Sequence, residues 1–346
     1  MRIRQVDAIK DGNVLTEAVM NEQKNVIIPT GTVLKEDYIP LIKSLGVDTV
    51  MVDDPYESYE NPHTIFAKEK FDEYVANVQT LMEKHIYHDG STELHEFEMI
   101  ANELLKDVEQ IQVSTLLDIK ERSASLYEHT VMVTILSLLV AKELQLDKTK
   151  RHNIAIGCLL HDIGLRYITV PFRNRDMTKE DPANVFEFKK HTILGYSAVE
   201  EEGWISKTSK KMILSHHENE AGSGFPMRQK CKEIECKIIQ ACDTFDSMIC
   251  GIENRRTPVR NAMTYLQENA GALFDSKVVS VLENLIAKYP TGTTVVTSEE
   301  KSGVVIEQTK DAEKPVIMVL DTEDPDTHLQ KMNLLETIDI SILQVV

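Results

Sequence analysis

The stretch "CLLHDIG", residues 158–164, decides the fold. An apolar run ends in His161 and Asp162, and a glycine follows directly. Neighbouring residues on a helix point ~100° apart, so one ion cannot grip both side chains equally. Two ions sharing the Asp162 carboxylate can, at a separation of roughly 3.5–4 Å. Taken alone, the pair also fits a hydrogen bond at a helix end. Its meaning therefore depends on what other side chains the chain sends to the same place.

Four more stretches supply company. In "SLYEHTVMVTILSLLV" the residues Leu126, His129, Val133, Leu136 and Val140 recur every three or four positions, so His129 sits in the core-facing stripe of a helix. "KKHTILGY" offers His191, with Gly195 four residues on. "LSHHENEAGSGFP", residues 214–226, sets His216 beside His217 and then turns through glycines to Pro226. Adjacent imidazoles point in different directions, which suits one for each of two ions. Last, "IIQACDTFDSMIC" puts Asp243 and Asp246 on one face of an apolar helix with Ile239 and Cys250. Burying two acids there is costly unless a cation compensates them. His129, His161, Asp162, His191, His216, His217 and Asp243 form an N/O donor set without thiolates, which suits Mn, Fe or Zn in a catalytic rather than a sulfur-rich structural site.

The rest of the chain frames that helical segment. Residues 1–58 alternate short strand patterns with turns around one helix, "KEDYIPLIKSLG", and predict a small α+β input module. Residues 59–118 are helical and charged, with a break at "HDGST", and predict a connector that offers a surface for homodimerisation. His85 and His88 beside Asp89 could hold a surface ion, although exposed histidines near a helix end are commoner. Residues 119–290 read as helix after helix, and 291–346 as a short β extension. The predicted fold is mainly α: an all-helical metal-binding domain between a small α+β module and a C-terminal β piece.

Bulk properties narrow the function. A net charge of −18 over 346 residues argues against a surface for long nucleic acids. A small anion remains compatible, because bound cations reverse the local field. The longest apolar run, residues 131–141, is too short for a bilayer, so no membrane insertion is expected. The N-terminus lacks the apolar core of a signal peptide, and the five cysteines lie in helical patterns as reduced thiols. A cytoplasmic location is expected.

The motifs "YEHT", "LLHDIG", "KKHTILGY", "HHENEAGSGFP" and "ACDTFD" resemble, in order and approximate spacing, the HD-GYP domains, a branch of the HD metal-dependent phosphohydrolases that hydrolyses the bacterial messenger cyclic di-GMP. The resemblance spans roughly residues 120–290. It implies a bacterial protein with metal ligands His129, His161, Asp162, His191, His216, His217 and Asp243. Asp162 would be the catalytic bridge between two divalent ions, iron or manganese foremost and zinc among the others. A hydroxide held between the ions would open cyclic di-GMP, or a related cyclic dinucleotide, to pGpG or GMP. Substrate contacts would fall to Gly222, Ser223, Gly224, Asp246, Arg255, Arg256 and Arg260, with the glycines letting the phosphodiester approach the backbone.

Departures from the family pattern keep a second reading open. Leu165 stands where the family has a lysine, with Arg166 adjacent. Ala221 replaces an acid, and Phe225 replaces the signature tyrosine. Ser125 occupies the position of a glutamate that holds a third metal in some relatives, which favours two ions. A module that keeps its metals and binds a cyclic dinucleotide, with weak or no turnover, is the alternative to the enzyme. If Leu165 faces the substrate, restoring lysine should speed hydrolysis; if it packs against neighbours such as Ile168, lysine should destabilise the fold.

Overall fold

The computed structural model of the chain describes residues 2–21, 25–47, 49–53, 65–87, 94–111, 116–122, 124–319, 330–337 and 339–345. Its centre is helix α4, Leu126–Glu143, which is buried on nearly every side. A helix that is apolar all round belongs inside a helical core. Ser125 caps its start by accepting the Glu128 N–H, which gives that serine a structural reason to be there.

The helices of the predicted all-helical segment pack around it. These are α5 (Lys148–Leu160), α6 (Pro182–Lys189), α7 (His191–Val199), α8 (Lys207–Ser215), α9 (Ile234–Cys250), α10 (Val259–Glu268) and α11 (Ser276–Leu285). Asp147 caps α5 and Asp275 caps α11, while α9 stops at Gly251, whose φ of 80° gives the left-handed C-terminal turn.

Before α4 come α1 (Ile39–Ser44), α2 (Lys68–Tyr87) and α3 (Phe97–Gln110). Helices α2 and α3, within residues 59–118, do not stand apart as the expected connector. Tyr74, Val78 and Met82 of α2, and Phe97, Ala101 and Leu104 of α3, are buried in the same core as α4 and α5. The apolar stripes of α2 and α3 are thus turned inward, towards the chain's own core. Residues 54–64 and 112–115, which contain or adjoin the predicted domain borders, lie outside the described residues, as do His88 and Asp89.

The N-terminal piece has its own small core, built from Val6, Ile9, Leu15, Val19, Ile28, Leu34, Ile42, Val50 and Val52. Strand β1 (Arg2–Gln5) pairs antiparallel with β4 (Thr49–Val52), and β2 (Val19–Met20) with β3 (Val26–Ile28). The C-terminal piece is one antiparallel sheet of β5 (Thr294–Thr297), β6 (Ser302–Glu307), β7 (Val316–Val319), β8 (Gln330–Asn333) and β9 (Ile342–Val345). Its order is β8-β7-β6-β5-β9, so the last strand returns to pair with β5 and does not extend the meander. The chain is therefore mainly α, with small flanking α+β and β pieces. All five cysteines are buried free thiols, and among the described residues no helix is long and apolar enough to cross a membrane.

Candidate metal centre

Each histidine of the predicted set is aimed by the end of a helix. His161 and His216 sit at the C-terminal ends of α5 and α8, His191 opens α7, and His129 lies in the first turn of α4. Three rings are pinned the same way: Nδ1 of His161, His191 and His216 donates to the carbonyls of Cys158 (2.7 Å), Phe188 (2.8 Å) and Ile213 (2.9 Å). A carbonyl only accepts, so Nδ1 carries a proton in each, and when the ring is neutral its Nε2 presents a lone pair. His129 is pinned by a carboxylate instead, its Nδ1 lying 2.8 Å from Asp246 Oδ2.

Gly164 explains how α5 and α7 come so close. A Cβ there would lie 1.9 Å from the His191 carbonyl oxygen, so only glycine lets the turn after Asp162 press against the start of α7. That contact places His191 opposite Asp162.

The Nε2 atoms and carboxylates form two lobes that share Asp162. On one side, Asp162 Oδ2 lies 3.4 Å from His161 Nε2 and 3.6 Å from His129 Nε2, and Asp243 Oδ1 is 3.1 Å from His129 Nε2 and 3.7 Å from His161 Nε2. On the other, Asp162 Oδ1 lies 3.5 Å from His216 Nε2 and 3.7 Å from His191 Nε2, while these two nitrogens are 3.2 Å apart. Ligands bound at about 2.1 Å to one ion stand roughly 3.0–3.4 Å apart in octahedral or tetrahedral geometry. The shortest spacing in each lobe, 3.1 Å between His129 and Asp243 and 3.2 Å between His191 and His216, falls on an edge of such a shell, and the others lie at its upper limit or slightly beyond it.

The buried atoms lack other partners. His129 Nε2, His161 Nε2, both oxygens of Asp162, Asp243 Oδ1, His217 Nε2 and Glu253 Oε1 are enclosed with no hydrogen bond. His191 and His216 pose a sharper problem, because both Nδ1 protons are spent on carbonyls and two lone pairs face each other at 3.2 Å. A cation between the lone pairs resolves this, and neutral imidazole with carboxylate is its usual donor set. The residues present therefore fit divalent metal.

The electrostatics differ between the lobes. Burial, then the neighbouring His217, pulls His191 down to about 4 and lowers His216 as well. His217 is lowered chiefly by burial. Burial also acts to lower His161, but Asp162 overrides it and pushes that ring up to about 10. Burial acts to raise Asp162 and Asp243, yet their histidine neighbours hold both carboxyls well below the usual range. Burial first, then the Asp243 and Asp162 charges, lift Glu253 to about 8.

The structure brings His129, His161, Asp162, His191, His216, His217 and Asp243 into one cluster. It moves Asp246 to another role: fully buried, that carboxylate holds His129 from behind and pairs with Arg122, so it does not face a substrate. The glycine loop also differs from expectation. A Cβ on Gly224 would lie 2.2 Å from the His217 carbonyl oxygen, so this glycine lets the loop pack beneath His217. Gly222 has a φ of 69°, and Ser223 is turned to Asn219 through its N–H and hydroxyl. Glu218 fixes the following stretch by accepting the N–H groups of Met227, Arg228 and Gln229.

The predicted arginines are spread out. Arg256 is buried against Glu17 of the N-terminal piece, and Arg260 bonds the Leu343 carbonyl and lies over the Tyr289 ring, while Arg255 is exposed. Leu165 is 3% exposed among Leu126, Met177, Phe188, Cys250 and Ile252, with Ile168 against it. Arg166 lies over the Tyr127 ring at 6.0 Å. Phe225 stacks on His217 with centroids 4.5 Å apart, and Lys189 sits 5.1 Å from the Phe225 ring. Ala221 is exposed. Two residues went unforeseen: Arg122, which neutralises Asp246, and Glu253. The signal for Glu253 was an acid two residues past a glycine that ends a helix, in "CGIENRR".

Residues 126–248 match the family model described as HD domain. That stretch of the chain is similar to an HD domain. A cyclic di-GMP phosphodiesterase of Pseudomonas aeruginosa is 26% identical over 56% of this chain and 47% of its own length. One of Thermotoga maritima is 28% identical over 47% of this chain and 45% of its own. A 3'3'-cGAMP-specific phosphodiesterase of Vibrio cholerae is 24% identical over 47% of the chain and 35% of its own length. The chain thus spans about half or less of these relatives. Among solved structures, an HDG"Y"P protein of Bdellovibrio bacteriovorus has the same HD fold, with a TM-score of 0.52 and 17% identity across 81% of this chain and 97% of that one.

Proposed function

We propose that this HD domain is a metal-dependent phosphodiesterase that hydrolyses cyclic di-GMP or a closely related cyclic dinucleotide to a linear dinucleotide or mononucleotide. The observation that carries the reading is the two-lobed cluster, with one oxygen of Asp162 on each side and its buried donor atoms unpaired. His129, His161, Asp162 and Asp243 would hold one ion; His191, His216, His217 and Asp162 would hold the other. Two ions at such a site supply an activated water and neutralise charge on the phosphoryl oxygens and the leaving group.

The chain's own residues do the positioning. Asp246 and the three backbone carbonyls fix every pinned ring in the tautomer that leaves Nε2 free. Phe225 stacks on His217 and presents an apolar surface beside it, against which a base could lie, and Lys189 puts a positive charge over that ring. The relatives named as phosphodiesterases of cyclic dinucleotides support the substrate class.

A specific observation supports the binding-module alternative: Leu165 is packed in an apolar cluster, and Arg166 is engaged with Tyr127, so neither provides a phosphate contact. Metal-loaded protein incubated with cyclic di-GMP, and separately with 3'3'-cGAMP, distinguishes the readings by chromatography of the products. Appearance of pGpG or GMP supports the enzyme. Saturable binding of an intact dinucleotide without product supports the module, and neither binding nor product refutes both.

A further inference from the structure

We propose that Glu253 is a ligand of the metal ion on the His191, His216 and His217 side of the cluster. The inference rests on the metal-holding reading above and adds to it a carboxylate supplied by the loop after α9. Glu253 Oε1 is buried without a hydrogen bond, 3.2 Å from His217 Nε2 and 4.0 Å from His191 Nε2. Within a shell of radius about 2.1 Å, ligand atoms lie roughly 3.0 Å apart when adjacent and 4.2 Å apart when opposite. Both distances fall in that range. The ligand atoms of Glu253, His191 and Asp162 all lie within 4.8 Å of one another.

The backbone supplies an independent argument. Glu253 has a φ of 61°, a left-handed conformation that costs a branched or long L-residue energy and that glycine would adopt freely. It is held there on both sides: its N–H donates to the Phe172 carbonyl at 2.9 Å, and its own carbonyl accepts the Met177 N–H at 3.1 Å. Asn174 N–H to Gly251 carbonyl, at 2.6 Å, and Asn254 Nδ2 to Ser247 Oγ, at 2.9 Å, clamp the flanks. A strained residue so firmly fixed is the mark of a side chain that must be aimed. The aim is towards like charges, since the Asp162 and Asp243 carboxylates share the cluster. A cation turns that repulsion into attraction.

The added ligand also bears on which metal is taken. His191, His216, His217, Asp162 and Glu253 give the lobe five donors, which suits a five- or six-coordinate Mn2+ or Fe2+ better than tetrahedral Zn2+. Glu253 thereby shifts the lobe's preference towards Mn2+ or Fe2+.

The experiment strips the 346-residue chain with chelator and titrates it with Mn2+ alone and Zn2+ alone, reading bound metal, affinity and melting temperature. Wild type should bind two Mn2+. Glu253→Gln and Glu253→Gly should keep one ion and bind the other at least about tenfold more weakly, since even outer-layer partners of a metal carry 10–100-fold. The loss should be larger for Mn2+ than for Zn2+. Metal-free Glu253→Gly should melt no lower than metal-free wild type, because the strain is relieved while the site is weakened. Wild-type uptake and affinity for both ions in Glu253→Gln would overturn the proposal. So would a drop in the metal-free melting temperature of both variants with an unchanged metal-induced rise. Wild-type protein that binds neither ion would overturn the metal reading itself, a failure visible before any variant is made.

Discussion

Leu165→Lys tests whether the family's missing lysine is a lost catalytic group or a packing change. Leu165 is 3% exposed within an apolar cluster that also holds Leu126, Met177, Phe188, Cys250 and Ile252. Removing a buried leucine side chain costs about 2–5 kcal/mol in the alanine limit. A lysine stem restores part of that packing, but its amine is then enclosed without an acceptor, at a cost on the order of 1–3 kcal/mol. We expect a net loss of about 3 kcal/mol, which for a domain of this size lowers Tm by roughly 6–12 °C. Scanning calorimetry on metal-loaded protein measures it, with turnover of cyclic di-GMP in parallel. Leu165→Met is the control, since a volume-conserving swap costs under about 1.5 kcal/mol. A Leu165→Lys protein that melts with wild type and turns over faster would refute the reasoning, because the amine would then have reached the phosphate.

Three further outcomes follow from the same geometry. Asp162→Ala should empty both lobes together in elemental analysis, since each of its oxygens faces one lobe; loss of a single ion would show that Asp162 does not bridge. Asp246→Asn should weaken metal binding about 10–100-fold in chelator competition, because the carboxylate behind His129 is exchanged for an amide. A change below twofold would remove Asp246 from the metal's support. Gly224→Ala should cost roughly 1–3 kcal/mol and lower metal affinity, as its Cβ would meet the His217 carbonyl at 2.2 Å; an alanine variant with unchanged Tm and metal content would contradict that contact.

What the sequence made legible was whatever depended on local spacing. His161, His191, His216 and Asp243 could be placed because helical periodicity and helix ends fix where such side chains point, and the all-helical core followed from the same period. Helix-face periodicity failed where a contact joins distant segments. Asp246 shares a face with Asp243, yet its partner is Arg122, 124 residues away, and only folding shows the pair turned to the back of His129. Arg256 looked like a free phosphate ligand until Glu17, 239 residues away, was seen against it. The glycines after His217 were read as room for a substrate, while the nearest atom to Gly224 belongs to the chain's own His217.

Glu253 shows the limit most plainly. No periodic pattern leads to it, because it lies in a loop, and its position depends on a left-handed φ imposed by contacts with residues 172–177. The carboxylate sought one turn before His129 is absent there because Ser125 is needed to start α4. A carboxylate nevertheless stands beside His191 and His217, delivered from the far end of α9. A metal site constrains where a donor atom lies, not which segment brings it, so a search by motif position does not lead to Glu253.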